Sequence, residues 1–301
     1  MPSFNIHLAI AKRYMDKHND IKDKLSFYKG SIAPDLVDDK KISHYTPLNR
    51  ESRCYSTYLL KKVILSDYLK ENEIKTDYDK GIFLHLIADK LFFLNFFDIN
   101  MLDKSVPKEF LKKLYYSYDL LNDYLNKHYV NIYDIFDNRK LDDIFEKYKQ
   151  NTKQEIVIEK DRIIEFIEKV SDIDLEEYKN KVLNDDVHEM KLNSNAFDRM
   201  KNKIKIREYR VNDEKRRKVK RGDIITFRRL PDLDENLRVI VTKVETFSDF
   251  KNATSLNFKE DFSDRYKNVD ELVESFYTRG YYKKEEVEKY GTVVFTIERI
   301  D

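Results

Sequence analysis

The chain has 301 residues, 41% hydrophobic and 13% aromatic, which excludes general disorder and leaves room for two domains with separate cores. Lys+Arg (57) and Asp+Glu (56) nearly cancel, so global charge predicts no polyanionic partner; only its local distribution can. Cys54 is the single cysteine, which excludes an intrachain disulfide and a thiolate metal cluster.

Five Gly and five Pro are few for this length and predict mostly helix with sparse turns. The opening Met1–His7 segment has no charged region followed by an apolar core, so it does not read as a signal peptide. Leu8, Ile10 and Ala11 begin a first helix that continues through Tyr14 and Met15, and Gly30–Asp35 reads as a loop. Tyr58, Leu59, Val63, Ile64 and Leu69 mark a second helix at period 3.6. Ile82–Phe97 is apolar nearly all round, the pattern of a central buried helix. Gly81–Phe97 holds Asp89 and Lys90 and is too short and too charged to span a bilayer; a cytoplasmic protein is the expectation. Amphipathic helices follow near 107–127, 133–149, 160–170 and 174–184, the last with Ser171 or Asp172 as cap and Glu176 and Glu177 in its first turn.

Near residue 185 the texture changes to short β-branched runs: Ile204–Val211, Asp223–Phe227, Leu237–Val244 and Thr292–Glu298. The expected fold is therefore α+β in two domains: an all-α domain over 1–185, a hinge at Asn184-Asp-Asp-Val, and a mixed β-barrel over 186–301.

Each of the six histidines can be weighed singly. His85 and Asp89 stand at i and i+4, on one face of the apolar helix. A buried carboxylate among Phe, Leu and Ile needs compensation, which either an internal ion pair with His85 or a divalent cation supplies. Asp35, preceded by Pro34, and His44 nine residues on offer two more ligands, and His7 a fifth. Imidazoles with carboxylates suit Zn²⁺, Mn²⁺ or Fe²⁺, with one or two ions bound. His18 and His128 read as surface residues.

The segments Pro2-Ser-Phe-Asn-Ile-His7, Gly30-Ser-Ile-Ala-Pro-Asp35, Ser43-His44 and His85-Leu-Ile-Ala-Asp89 together resemble the bacterial zinc-dependent phospholipase C family, which shares its helical architecture with S1/P1-type nucleases. The resemblance is clear over about the first 100 residues. It implies that Asp35, His44, His85 and Asp89 hold one ion and that His7 and Asp89 contribute to a second. Catalysis would then belong to a metal-bound water with Asp35 or Asp89, hydrolysing a phosphoester. The downstream His-x-x-x-Glu of three-zinc members is missing, and Ile6 stands where the family has Thr. No His-Asp dipeptide, His-Glu-x-x-His helix, glycine-rich phosphate loop or Gly-x-Ser-x-Gly elbow offers a rival chemistry.

Between Arg199 and Arg229 fourteen Lys/Arg face four Asp/Glu, a local excess that reads either as a polyanion surface or as a solvated face. His188-Glu-Met-Lys-Leu, Lys205-Ile-Arg-Glu208-Tyr-Arg210, Asn212-Asp-Glu-Lys-Arg-Arg217, Gly222-Asp-Ile-Ile and Tyr281-Tyr-Lys-Lys resemble the ASCH family over 187–301. The resemblance implies a PUA-like barrel whose cleft receives RNA or a modified base. One branch of that family hydrolyses an acylated cytidine with Lys, Thr and Glu. Lys205, Glu208 and Arg210 occupy the corresponding segment, while Ile206 replaces its Thr and Lys203 its preceding Gly.

Glu208 and Arg210, two apart on a strand, point to one face, where they either read a base edge or phosphate or take part in a cross-strand ion pair. Lys215, Arg216 and Arg217 add phosphate-binding charge, and Tyr281 and Tyr282 either stack a base or close the barrel. Three functions follow: a metal-dependent phosphodiester hydrolase with RNA or nucleoside recognition, an RNA-binding protein with a metal-stabilised helical scaffold, or an amidohydrolase of an acylated cytidine.

Overall fold

The computed structural model describes residues 3–37, 40–45, 63–96, 108–136, 153–185 and 187–300. The chain divides into two compact units, Met1–Leu183 and Asn184–Asp301.

In the first unit α1 (Phe4–Lys17) begins earlier than its apolar spacing suggests, because Ser3 caps it with its hydroxyl and carbonyl toward Ile6 and His7. All side chains from Phe4 to Ala11 are buried, so this helix is central. A second helix, α2 (Lys24–Leu36), overturns the expected loop at Gly30–Asp35. Asp23 caps it through the Ser26 amide at 3.0 Å, and Pro34 falls in its last turn, where it forfeits a single intrahelical bond. Asp35 is therefore a helical residue.

A single turn, α3 (Lys40–Ser43), and α4 (Leu65–Glu71) precede α5 (Asp77–Phe96), the central apolar helix. The α2 and α5 backbones meet at Gly30 and Gly81, where a β-carbon on either would fall about 2 Å from a carbonyl oxygen of the other helix. After them come α6 (Lys108–His128), a 3₁₀ turn at Ile132–Asp134, α7 (Lys160–Ser171) and α8 (Leu175–Asp185). The expected helix over 133–149 starts as that 3₁₀ turn, and its stretch 137–149 lies outside the described residues, as do Tyr58 and Leu59 of the expected second helix. Asp174, not Ser171 or Asp172, caps α8: its carboxylate accepts the Glu177 amide at 2.8 Å, while Ser171 ends α7. No described helix is long and apolar enough to cross a membrane.

The second unit is built on five strands: β1 (Val187–Leu192), β2 (Arg207–Val211), β3 (Ile224–Arg229), β4 (Asn236–Phe247) and β5 (Thr292–Arg299). Their order is β1-β3-β4-β5-β2, with β1 parallel to β3 and the other pairs antiparallel. The sequence reading missed β1, which is short and begins two residues after α8 ends, in place of an extended hinge. The strand expected from Ile204 starts at Arg207. Lys203, in the turn just ahead of it, has φ +59°, the left-handed region that glycine favours; this is the position where the resembled family carries Gly.

Strand alternation serves two cores. Val293, Phe295 and Ile297 of β5 join Phe227 and Val239 in one, whereas Val294 joins Tyr209, Val211 and Phe250 in the other. The second core is covered by α10 (Phe250–Ser255), α12 (Val269–Thr278) and α13 (Lys284–Tyr290), numbered after α9 (Ser194–Lys201) and α11 (Phe258–Asp261). The sheet is a half-barrel with β1 and β2 as its free edges.

Candidate metal centre and candidate nucleoside cleft

Five buried side chains from four segments converge in the first unit. His7 comes from α1, Asp35 from the last turn of α2, His44 from just after α3, and His85 and Asp89 from successive turns of α5. His44 Nε2 stands 3.4 Å from Asp35 Oδ1 and 3.4 Å from Asp89 Oδ2, and His7 Nε2 stands 3.4 Å from Asp89 Oδ1. His85 Nε2 is 3.3 Å from His44 Nε2 and 3.9 Å from Asp89 Oδ2.

These separations are longer than charge-assisted hydrogen bonds of about 2.7–2.9 Å. Among the described residues neither Asp89 oxygen has a hydrogen-bond partner. The distances instead match the edge of a tetrahedron of ligands around zinc, about 3.4 Å for bonds of about 2.1 Å. Two overlapping triads, His7–Asp35–His85 and His44–His85–Asp89, bring their ligand atoms within 4.8 Å of one another.

The protonation states suit ligands. His85 Nδ1 lies 2.8 Å from the Ser31 carbonyl; a carbonyl only accepts, so Nδ1 carries the hydrogen and Nε2 presents a lone pair to the cluster. Burial, reinforced by His7, pushes the His85 imidazole down to about 3. Burial alone would raise the Asp89 carboxyl, but the His7 contact and the neighbouring His85 and His44 hold it well below the usual carboxylate range. A neutral imidazole and a carboxylate are the forms that bind a divalent cation. The donor set of nitrogen and oxygen, without thiolate, fits Zn²⁺, Mn²⁺ or Fe²⁺.

The other first-unit histidines stand apart. His18 stacks on Tyr14 with its Nε2 3.0 Å from the Ser171 carbonyl, and exposed His128 lies against Tyr124.

In the second unit Lys205, Glu208, Arg210, Tyr281 and Tyr282 line one cleft of about 560 Å³. Glu208 and Arg210 share a face of β2 opposite Phe295 and Val293, the inward face of the half-barrel. Glu208 is buried, with Arg210 Nε 2.6 Å from Oε1 and Lys205 Nζ 3.1 Å from Oε2. Burial would raise the Glu208 carboxyl, but Lys205 and Arg210 hold it below its ordinary value. The Glu208–Arg210 ion pair thus runs along β2 and not across strands as expected, because residues two apart on a strand share a face.

Arg210 does something the sequence did not reveal. From edge strand β2 it donates to the Lys191 carbonyl of the opposite edge strand β1 at 2.7 Å, closing the half-barrel with a side chain. No pattern signals this, since the acceptor is a main-chain atom in a strand the periodicity missed.

Tyr282 donates its hydroxyl to the Tyr209 carbonyl at 2.7 Å and packs its ring on Phe250 and Phe276, so it closes the fold. Tyr281 is exposed and lines the cleft. Lys215 and Arg216 line an adjoining cavity of about 460 Å³ that shares Lys191 and Arg210 with the cleft. Arg217 lines neither; its Nε donates to the Asn212 carbonyl and its guanidinium lies by the Tyr290 ring. Ile206, at the position of the family's Thr, is exposed and does not line the cleft.

Residues 190–301 match the family model described as the ASCH domain. Among solved structures, the hypothetical protein PH0355 is 33% identical over 38% of this chain and 99% of its own, with a TM-score of 0.33. Protein PF0455 from Pyrococcus furiosus is 29% identical over 38% of this chain and 98% of its own, with a TM-score of 0.32. No curated protein matches the chain.

Proposed function

We propose that this chain, whose residues 190–301 are an ASCH domain, is a metal-dependent hydrolase of a phosphodiester in a nucleic acid or nucleotide. The observation that carries the reading is the buried cluster of three imidazoles and two carboxylates whose neighbouring ligand atoms stand 3.3–3.9 Å apart. When bound there, an ion would lower the pKa of a water and withdraw charge from phosphoryl oxygens.

The chain's own groups divide the remaining work. Asp35, the least buried of the five, is the carboxylate best placed to take a proton from the attacking water. In the ASCH cleft Glu208 is the base reader, its carboxylate accepting from an exocyclic amine. Arg210 is already committed to Glu208 and Lys191 and orients it. Lys205 supplies positive charge at the same point, and Tyr281 a stacking face.

The test is elemental analysis of the purified protein together with hydrolysis of a chromogenic phosphodiester. About one or more equivalents of Zn, Mn or Fe, and turnover lost in His85→Ala, are expected. Less than about one equivalent of ion, with turnover unchanged by His85→Ala, sinks the hydrolase reading.

One observation favours a second reading: four of the five cluster residues are no more than 1% exposed. Such enclosure suits an ion that stabilises the helical unit while the ASCH domain alone binds RNA. Bound metal without turnover, alongside RNA binding weakened by Glu208→Gln, selects this alternative. Amidohydrolysis of an acylated cytidine gains less support, because Ile206 has no hydroxyl and lies outside the cleft.

A further inference from the structure

We propose that Ser43 is a positioning residue of the metal centre: its hydroxyl fixes the His44 tautomer and ties that ligand to the helix end carrying Asp35. The inference rests on the metal-binding reading above. It starts from two hydrogen bonds made by one hydroxyl. Ser43 Oγ lies 2.8 Å from the Pro34 carbonyl oxygen and 2.9 Å from His44 Nδ1.

A serine hydroxyl has one hydrogen, and a carbonyl oxygen can only accept. The Ser43 hydrogen therefore goes to Pro34. Oγ then has only lone pairs to offer His44, so Nδ1 must be the donor. In its neutral form, the one that ligates a cation, His44 is therefore the Nδ1–H tautomer, with a lone pair on Nε2 toward Asp35 and Asp89.

His85 reaches the same state through the Ser31 carbonyl. The two Nε2 atoms, 3.3 Å apart, then present lone pair to lone pair and cannot hydrogen bond to each other. A buried arrangement of this kind is repulsive without a shared electrophile, and a cation supplies one.

Pro34 is in the last turn of α2, where carbonyls lack intrahelical donors, and the next residue is the ligand Asp35. Ser43 uses that acceptor. One side chain thereby sets the orientation of His44 and its distance from Asp35, although the two ligands belong to different segments. The sequence shows Ser43 beside His44 but gives no hint of Pro34 as its acceptor.

Two measurements on the full chain decide the matter, using wild type, Ser43→Ala and Ser43→Thr. In metal-free protein, long-range ¹H–¹⁵N spectra of the imidazoles should show His44 as the Nδ1–H tautomer in wild type and Ser43→Thr, with a mixture in Ser43→Ala. Zn²⁺ affinity, read by competition with a chromophoric chelator, should fall about 10–100-fold in Ser43→Ala and recover in Ser43→Thr. The visible spectrum of the Co²⁺ form should change in Ser43→Ala alone.

Wild-type Zn²⁺ affinity and an unchanged tautomer in Ser43→Ala would overturn the proposal, as would a Ser43→Thr variant as weak as Ser43→Ala. If wild type binds neither Zn²⁺ nor Co²⁺, the metal reading fails and the proposal with it. If wild type binds metal but Ser43→Ala is unaltered, only the role of Ser43 fails. If Ser43→Ala does not fold, the wild-type tautomer and the Ser43→Thr affinity carry the decision: an Nε2–H tautomer for His44 refutes the relay.

Discussion

A β-carbon on Gly81 would stand 3.0 Å from the carbonyl carbon of Gly30, 2.8 Å from the Ser31 nitrogen and 2.3 Å from the Phe27 oxygen. Helices α2 and α5 are in backbone contact there, and both carry residues of the candidate metal cluster one to two turns further on: Asp35 on one, His85 and Asp89 on the other. The obstructing atoms are main chain and cannot swing aside. Gly81→Ala is expected to cost about 3 kcal/mol, at the upper end of overpacking penalties, and to lower metal content as well. Thermal melts followed by circular dichroism, with elemental analysis of the folded fraction, test both effects. Gly280→Ala is the comparison for the assay: a β-carbon there meets nothing within 4 Å, so only the left-handed strain of roughly 1 kcal/mol at φ +69° is expected.

Metal removal should destabilise the helical unit. An ion that binds only the folded cluster adds stability that disappears with a chelator, about 3 kcal/mol at a hundredfold excess of free ion over Kd. Chelator is expected to lower the first unit's melting temperature in wild type and to leave His85→Ala and Asp89→Asn unchanged. Equal melting with and without chelator in wild type counts against a bound ion.

Arg210 joins the two free sheet edges and neutralises buried Glu208. Truncating it leaves buried Glu208 with Lys205 as its remaining cation, so Arg210→Ala should cost about 2 kcal/mol, less than the loss of a sole partner. Pairing it with Glu208→Leu should recover part of that loss: the buried carboxylate is gone, although Lys205 loses its ion-pair partner. Ligand binding in the cleft should stay abolished in the double variant. Urea melts and RNA titrations separate the two effects.

Glu168 ties α7 to α1 by accepting from Arg13 Nε at 2.7 Å, with Lys17 Nζ at 2.9 Å. The Arg13 hydrogen bond, despite some burial, brings its carboxyl from 4.5 down to about 2. A folded value below the unfolded one means the contribution is fully present above about pH 4.5 and is lost as pH falls toward 2. Glu168 is 37% exposed, so solvent screening limits the effect to about 1 kcal/mol or less. Glu168→Gln should remove that part of the acid sensitivity; an identical stability profile between pH 5 and 2 contradicts the assignment.

Lys203 holds a left-handed backbone that costs a side-chain-bearing residue roughly 1 kcal/mol. Lys203→Gly should relieve the strain and leave the fold neutral to stabilised by up to about 1 kcal/mol, despite glycine's larger loss of chain entropy. A lower melting temperature for the second unit would falsify this account of the turn.

The sequence by itself determined the mostly helical first half, the strand-rich second half and the ASCH family of the latter. Periodicity is a local property, and Ile82–Phe97, Leu237–Val244 and Thr292–Glu298 carry it over many residues. His85 and Asp89 were legible as candidates because a carboxylate and an imidazole on an apolar helix need partners, and Asp35, His44 and His7 joined them through their spacing and the resemblance of their segments to a zinc-dependent family.

Tertiary structure alone decided what those residues do to one another. Asp35 turned out to be helical because an Asp23 cap and a glycine contact with α5 outweigh a proline near the helix end. The Ser31 and Pro34 carbonyls, which orient His85 and act through Ser43 on His44, and the Lys191 carbonyl that receives Arg210, are main-chain acceptors. Every residue carries such a carbonyl, so no side-chain pattern marks the ones that folding brings within hydrogen-bond reach.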